Sequence, residues 1–256
     1  MMRKILFTSL VAFNAMLISF CSVAASNSIQ DRVSEIMAMD HRTETDTVRD
    51  RNRAPQLALE FMGIREDMKV IEFAPGNGWY SKILAPLLKE KGELHMAYKK
   101  EWLDSLDDIL AEKVMSKAIK LPMELDWNNE EYRYVFGKKI DFGISDADMV
   151  LCIREYHNFN AEDKARFNKA VFSALKPGGI YVVIDHSRRH MAPETWELRR
   201  REDAVDVILG VQQAGFKLEK SSNMFYRPDD ELVYEVGRKT VTGNTDRFML
   251  VFKKSR

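Results

Sequence analysis

Val70-Ile71-Glu72-Phe73-Ala74-Pro75-Gly76-Asn77-Gly78-Trp79-Tyr80 runs into Ser81-Lys82-Ile83-Leu84-Ala85, and this stretch decides the fold. Its first part is apolar and partly β-branched around one carboxylate, Glu72. A turn with two glycines follows, and then Trp79, Ile83, Leu84, Leu87 and Leu88 recur at helical spacing. Strand, tight turn, helix is how a nucleotide-binding type of α/β sheet opens. Glycine suits that turn because the backbone bends sharply there and a ligand approaches without a Cβ in the way. A glycine-containing turn of some other α/β domain would read the same, so the remaining segments decide.

Downstream, Asp148-Met149-Val150-Leu151-Cys152-Ile153 reads as a fully buried fourth strand. It delivers Arg154-Glu155-Tyr156-His157-Asn158-Phe159 to the carboxyl edge of the sheet, where open α/β sheets bind ligands. His157 offers a neutral base, Asn158 a hydrogen-bonding amide and Tyr156 an aromatic face. A locally bonded loop is the plainer alternative. Ala161 to Leu175 is a predicted helix, stopped by Lys176-Pro177-Gly178-Gly179 before the β-branched strand Ile180 to Asp185. Ala214-Gly215-Phe216, a sixth strand over 217–222, a turn at Gly243-Asn244 and a seventh strand over 247–252 close the pattern.

Glu72-x-Ala74-x-Gly76-x-Gly78 resembles the first motif of S-adenosylmethionine-dependent methyltransferases of the Rossmann-like class, with alanine where the first glycine usually stands. The Lys-Pro-Gly-Gly turn and the closing hairpin are similar to that family too. A group of predicted exported bacterial methyltransferases is more similar still. It shares Pro-Gly-x-Gly followed by an aromatic residue, Tyr-His-Asn after the fourth strand, Asp-His after the fifth, an Arg-x-Asp helix start (Arg201 to Asp203) and Thr-Asp-Arg-Phe (Thr245 to Phe248). The resemblance implies an α/β, doubly wound, mostly parallel seven-stranded sheet with an antiparallel last strand, helices on both faces and an N-terminal helical extension. It also implies S-adenosyl-L-methionine as cofactor, held by Glu72, Ala74, Gly76, Asn77, Gly78 and Tyr80, with Arg154 at the fourth-strand edge. One departure stands out: the second strand ends Tyr98-Lys99-Lys100-Glu101, where the family places a ribose-binding carboxylate, so Glu101 is the substitute. Asp126, beside Leu125 and Trp127, is the candidate adenine contact. His157, Tyr156 and Asn158 are the candidate catalytic set, and Asp185, His186 and Arg53 candidate substrate contacts.

Residues 1–25 read as a signal peptide: Arg3 and Lys4, an apolar run to Phe20, then Ser22-Val23-Ala24-Ala25, with cleavage near Ala25 and an exported, periplasmic location. Residues 26–62 form the helical extension and 63–256 the Rossmann-like domain. The apolar run is short for a membrane span, and Phe20 disfavours a lipid anchor on Cys21. After cleavage Cys152 is the one cysteine, which excludes an internal disulfide and reads as a buried small hydrophobe.

In 256 residues, 39 Lys+Arg balance 39 Asp+Glu, so no bulk charge points to nucleic acid or an anionic membrane; a small molecule is the expected partner. Arg199-Arg200-Arg201 reads as a solvated face, and so, in preference to ligand contact, does the helix face of Asp50 and Arg53. A metal site at Asp185, His186 and His190 is rejected for want of ligand spacing. Further expectations are helices over 27–39, 102–115 and 197–213, a third strand over 117–121, and a loop or short helix over 128–139. The leading expectation is methyl transfer to an unidentified small-molecule or exported acceptor. A non-catalytic exported binding protein that kept the fold is the alternative, and an NAD-type oxidoreductase is weaker because its longer fingerprint is missing.

Overall fold

The computed structural model describes residues 28–255, so the stretch read as a signal peptide and Cys21 lie outside the described residues. Four helices lead in: α1 (Ile29–Met37), α2 (Glu44–Thr47), α3 (Asp50–Arg53) and α4 (Pro55–Met62). Ser28 caps α1 in a reciprocal box with Asp31, Pro55 opens α4, and Gly63 ends it at φ +78°. Then come β1 (Lys69–Phe73), α5 (Ser81–Leu88), β2 (Glu93–Lys99), α6 (Lys100–Asp104), α7 (Asp107–Leu110) and β3 (Ile119–Met123). A hairpin of β4 (Leu125–Asn128) and β5 (Arg133–Phe136) stands apart from the main sheet. The chain closes with β6 (Ala147–Ile153), α8 (Ala161–Ala174), β7 (Leu175–His186), α9 (Ala204–Gln213), β8 (Phe216–Ser222) and β9 (Arg247–Lys254).

Seven strands form one sheet in the order β3-β2-β1-β6-β7-β9-β8. The pairings from β3 through to β7 are parallel, and β9 runs antiparallel to both β7 and β8. The expected seven-stranded, mostly parallel sheet with an antiparallel last strand is therefore present. Strand order reverses between β1 and β6, so the crevice beyond their carboxyl ends is the natural ligand position.

Period-two alternation assigns each strand residue to a face. Val70, Leu151, Val182, Ile184, Met249 and Val251 point to a core shared with α1, α4 and α5. Ile71, Phe73, Val150, Cys152, Tyr181, Val183 and Phe252 point to the other core, under α8, α9 and the hairpin. Both faces are covered, which is why the central strands are apolar throughout rather than alternating.

Several boundaries differ from expectation. The helix expected over 102–115 is two short ones, because Leu106 leaves helical geometry at ψ 4°. The third strand sits two residues later than expected, and 128–139 holds half of the hairpin instead of a loop or helix. The helix expected from 197 starts at Ala204, where the Asp203 side chain caps it by accepting from the Val205 amide; 196–198 is a separate 3-10 turn. Among the described residues no helix is long and apolar enough to cross a membrane.

Candidate functional site

The turn after β1 keeps the conformation that glycine favours even where glycine is missing. Ala74 takes φ +50°, beside Gly76 at +57° and Gly78 at +71°. An L-residue in that region stores roughly 1–2 kcal/mol of strain, which the Ala74 amide bond to the Ala97 carbonyl (2.9 Å) helps hold. A Cβ built on Gly76 would meet nothing within 4 Å, so the space in front of the loop is open. Glu72, next to last in β1, is buried and accepts a 2.6 Å hydrogen bond from the Ser81 hydroxyl at the start of α5. Burial pushes its carboxyl up to about 7, against the Ser81 hydrogen bond and the Arg53 charge.

Two cavities meet here. The smaller, about 220 Å³, is lined by Glu72 to Asn77, Trp79, Tyr80 and Ile153. The larger, about 800 Å³, is lined by His157, Asn158, His186, Trp127, Thr245 and a set of arginines. Arg49, Arg53, Arg154 and Glu155 line both, so the loop opens onto the larger space.

At the end of β6 a 3-10 turn, Tyr156–Asn158, aims His157 at the larger cavity. The His157 Nδ1 lies 2.7 Å from Asp185 Oδ1, and its backbone amide donates to Asp185 Oδ2 at 2.9 Å. A carboxylate accepts, so Nδ1 carries a hydrogen toward Asp185 and Nε2 faces away from it. No hydrogen bond is made to Nε2 among the described residues. His186 Nδ1 is 2.8 Å from the Thr245 hydroxyl, and burial, helped by His157 and neighbouring arginines, drives its pKa well down, so the ring stays neutral. Asn158 donates 2.9 Å to Glu155 Oε2, which also accepts from the Tyr134 hydroxyl at 2.7 Å.

Four of the candidate site residues lie away from the walls of both cavities. Asp185 is fully buried, its oxygens are taken by His157 and the His186 amide, and it lines neither cavity. Tyr156 is 1% exposed, lines neither cavity, and accepts from Asn168 in the core. Glu101 and Asp126 lie outside both cavities with side chains 69% and 67% exposed, each near Lys99. Conversely, Arg53 is buried, not solvated, its guanidinium 4.4 Å from the Trp79 ring centre, while Asp50 pairs with Arg42. Arg201 is also buried, in a two-bond pair with Asp230 at 2.9 Å each, and Arg199 and Arg200 face the cavity. Arg247, quoted above only as part of the Thr-Asp-Arg-Phe motif and given no role there, lines it too. The fold brings it there through strand register, since the antiparallel partner of His186 is Arg247.

For S-adenosylmethionine, the residues fit the amino-acid end. The open Gly76 backbone, the buried Glu72 carboxyl and two guanidinia, Arg53 and Arg154, surround a cavity of the right polarity. At the nucleoside end Tyr98 replaces the carboxylate; its hydroxyl is 3.2 Å from that of Tyr134, and its ring packs 4.6 Å from Trp102. The described residues contain no cluster of three or more metal-ligating side chains.

Neither a protein-family profile nor a curated protein matches the sequence. Solved structures do match. An S-adenosylmethionine-dependent methyltransferase from Aquifex aeolicus shares 17% identity over 78% of this chain and 88% of its own, with TM-score 0.53. The CcbJ methyltransferase from Streptomyces caelestis shares 15% over 81% and 90%, with TM-score 0.54. SpnF, described as a [4+2]-cyclase, shares 12% over 89% and 96%, with TM-score 0.56. Likeness at these identities carries the architecture, not the chemistry. The chain has the fold of the Rossmann-like S-adenosylmethionine-dependent methyltransferases.

Proposed function

We propose that the protein is an S-adenosylmethionine-dependent methyltransferase, exported after cleavage near Ala25, acting on a small-molecule or exported acceptor in the larger cavity. The observation that carries this reading is the His157–Asp185 pair on the wall of a cavity continuous with the first-motif loop. The cofactor supplies a sulfonium methyl that is already electrophilic, so the chain has to align the acceptor and take its proton. The Ala74–Gly78 backbone and Glu72 would hold the amino-acid end, with Arg53 or Arg154 on its carboxylate. His157 Nε2 is the base: Asp185 fixes its tautomer and stabilises the imidazolium formed when a proton arrives. Asn158, its amide nitrogen anchored on Glu155, lines the same cavity and would position the acceptor.

Calorimetric titration with S-adenosylmethionine tests the reading. Saturable binding is expected, weakened about tenfold in Gly76→Val, because valine at φ +57° strains the loop by roughly 1–2 kcal/mol although nothing crowds its Cβ. Absence of binding at millimolar cofactor would sink it.

Tyr98 in place of the ribose carboxylate favours a second reading, a non-catalytic exported binding protein built on the same fold. Mass spectrometry of protein purified from its native compartment separates the two. Bound S-adenosylmethionine or S-adenosylhomocysteine supports the enzyme, and a different resident ligand supports the binder.

A further inference from the structure

Six arginines line the larger cavity (Arg49, Arg53, Arg154, Arg199, Arg200 and Arg247) against one carboxylate, Glu155. That carboxylate already accepts from Tyr134 and Asn158. Elsewhere the chain pairs its buried arginines: Arg201 with Asp230, Arg42 with Asp50. At the cavity Arg200 pairs with Glu235, but the deeply buried arginines do not pair. Arg53 and Arg247 are each 6% exposed, yet among the described residues neither they nor Arg154 form an ion pair with a carboxylate. Arg53 lies over Trp79, and Arg247 lies 4.6 Å from the Phe225 ring centre while donating to the Asn52 carbonyl. The Arg247 Nε is buried without a hydrogen-bond partner. Burial and mutual repulsion pull Arg53 down to about 9 and Arg247 to about 10, with Arg154 weighing on both.

Buried like charges without a counter-ion are costly, and an oxyanion with two or three oxygens satisfies several guanidinia at once. We propose that Arg53, Arg154 and Arg247 form an oxyanion site in the larger cavity, and that the acceptor carries a carboxylate, phosphate or sulfonate. Only the word acceptor rests on the methyl-transfer reading; the site itself does not. The cofactor's own carboxylate is the other source of such a group. It would use Arg53 and Arg154, which line both cavities, whereas Arg247 lines the larger alone. The bound anion would sit on the cavity wall that carries His157 and His186, which places the rest of the molecule against the base.

Inorganic phosphate and citrate, titrated by calorimetry into the full chain at low salt with and without saturating S-adenosylmethionine, test this. Saturable binding is expected in both states, weakened about tenfold or more in Arg247→Gln and Arg154→Gln. Arg65→Gln, a surface residue beside Asp67, should bind as wild type does. A phosphate-dependent rise in wild-type melting temperature gives a readout that needs no variant. Lack of binding at roughly 10 mM anion, equal affinity in every variant, or binding that vanishes with cofactor and ignores Arg247→Gln overturns the proposal. Anion binding that persists while S-adenosylmethionine fails to bind removes the methyltransferase reading and leaves the site standing.

Discussion

Glu72 sits where β1 hands over to the glycine turn, 4% exposed, with its carboxyl raised to about 7 by burial. The folded state holds this proton more tightly than the unfolded chain, whose ordinary value is 4.5. Its contribution to stability is therefore complete below about 4.5 and lost as pH rises through about 7. Thermal unfolding followed by circular dichroism should show the wild type less stable at about pH 8 than at about pH 5, by an order of ~2–3 kcal/mol. Glu72→Gln should flatten that difference; an unchanged slope would assign it to other groups. A ligand ammonium beside Glu72 would favour the ionised form and offset the loss. The second residue to watch is His157. Long-range proton–nitrogen NMR correlations should place its hydrogen on Nδ1, facing Asp185, and Asp185→Asn should disturb that tautomer. A hydrogen found on Nε2 in the wild type would remove His157 as the base.

Between elements, the buried Arg201–Asp230 pair does the tying. Arg201 precedes α9 and also donates to the carbonyls of Ser187 and Tyr234, while Asp230 accepts from the Leu232 and Asp246 amides just ahead of β9. The pair thus fixes where Thr245 and Arg247 enter the cavity. Asp230→Ala leaves a buried guanidinium uncompensated, at a cost of about 3–5 kcal/mol. Chemical denaturation should register that loss, and a change under about 1 kcal/mol would mean that Arg201 finds another acceptor. Arg201 reads from the sequence as one of three surface arginines, because charge alone does not tell a solvated residue from one facing a carboxylate 29 positions away. The strands were legible for the opposite reason: their apolar runs and turn residues are local signals. The β4–β5 hairpin was not, since each of its strands is only four residues long, too short for a periodic signal, and gains its order by placing Leu125, Tyr134 and Phe136 in the second core.

At the scale of the whole molecule, a chain with no net charge gathers six arginines at one sheet edge, which composition averages away. The site was half legible on the same grounds: His157, Asn158 and the glycine turn follow from strand ends, whereas the arginines converge from 49–53, 154, 199–200 and 247 only through the fold. The N-terminal helices take part in that convergence as more than an appendage. Val33, Ile36, Ala58, Leu59 and Met62 are fully buried in the core that covers one sheet face. The Asp46 carbonyl accepts from Trp79 Nε1 at 2.9 Å, its carboxylate takes Lys82 Nζ at 2.6 Å, and His41 Nε2 donates to the Lys82 carbonyl at 2.7 Å. These bonds clamp the extension onto the start of α5, directly behind the glycine turn, and hold Arg49 and Arg53 over the cavity. The extension and the sheet should therefore unfold as one unit. Ile36→Ala, removing a fully buried side chain from α1, is expected to cost about 2–5 kcal/mol and lower a single calorimetric transition without splitting it. Anion binding should persist below that lowered midpoint, since Arg53 is released only when the whole fold is. A separate early transition, with Arg53-dependent binding lost before the sheet melts, would instead show the extension docking as an independent lid.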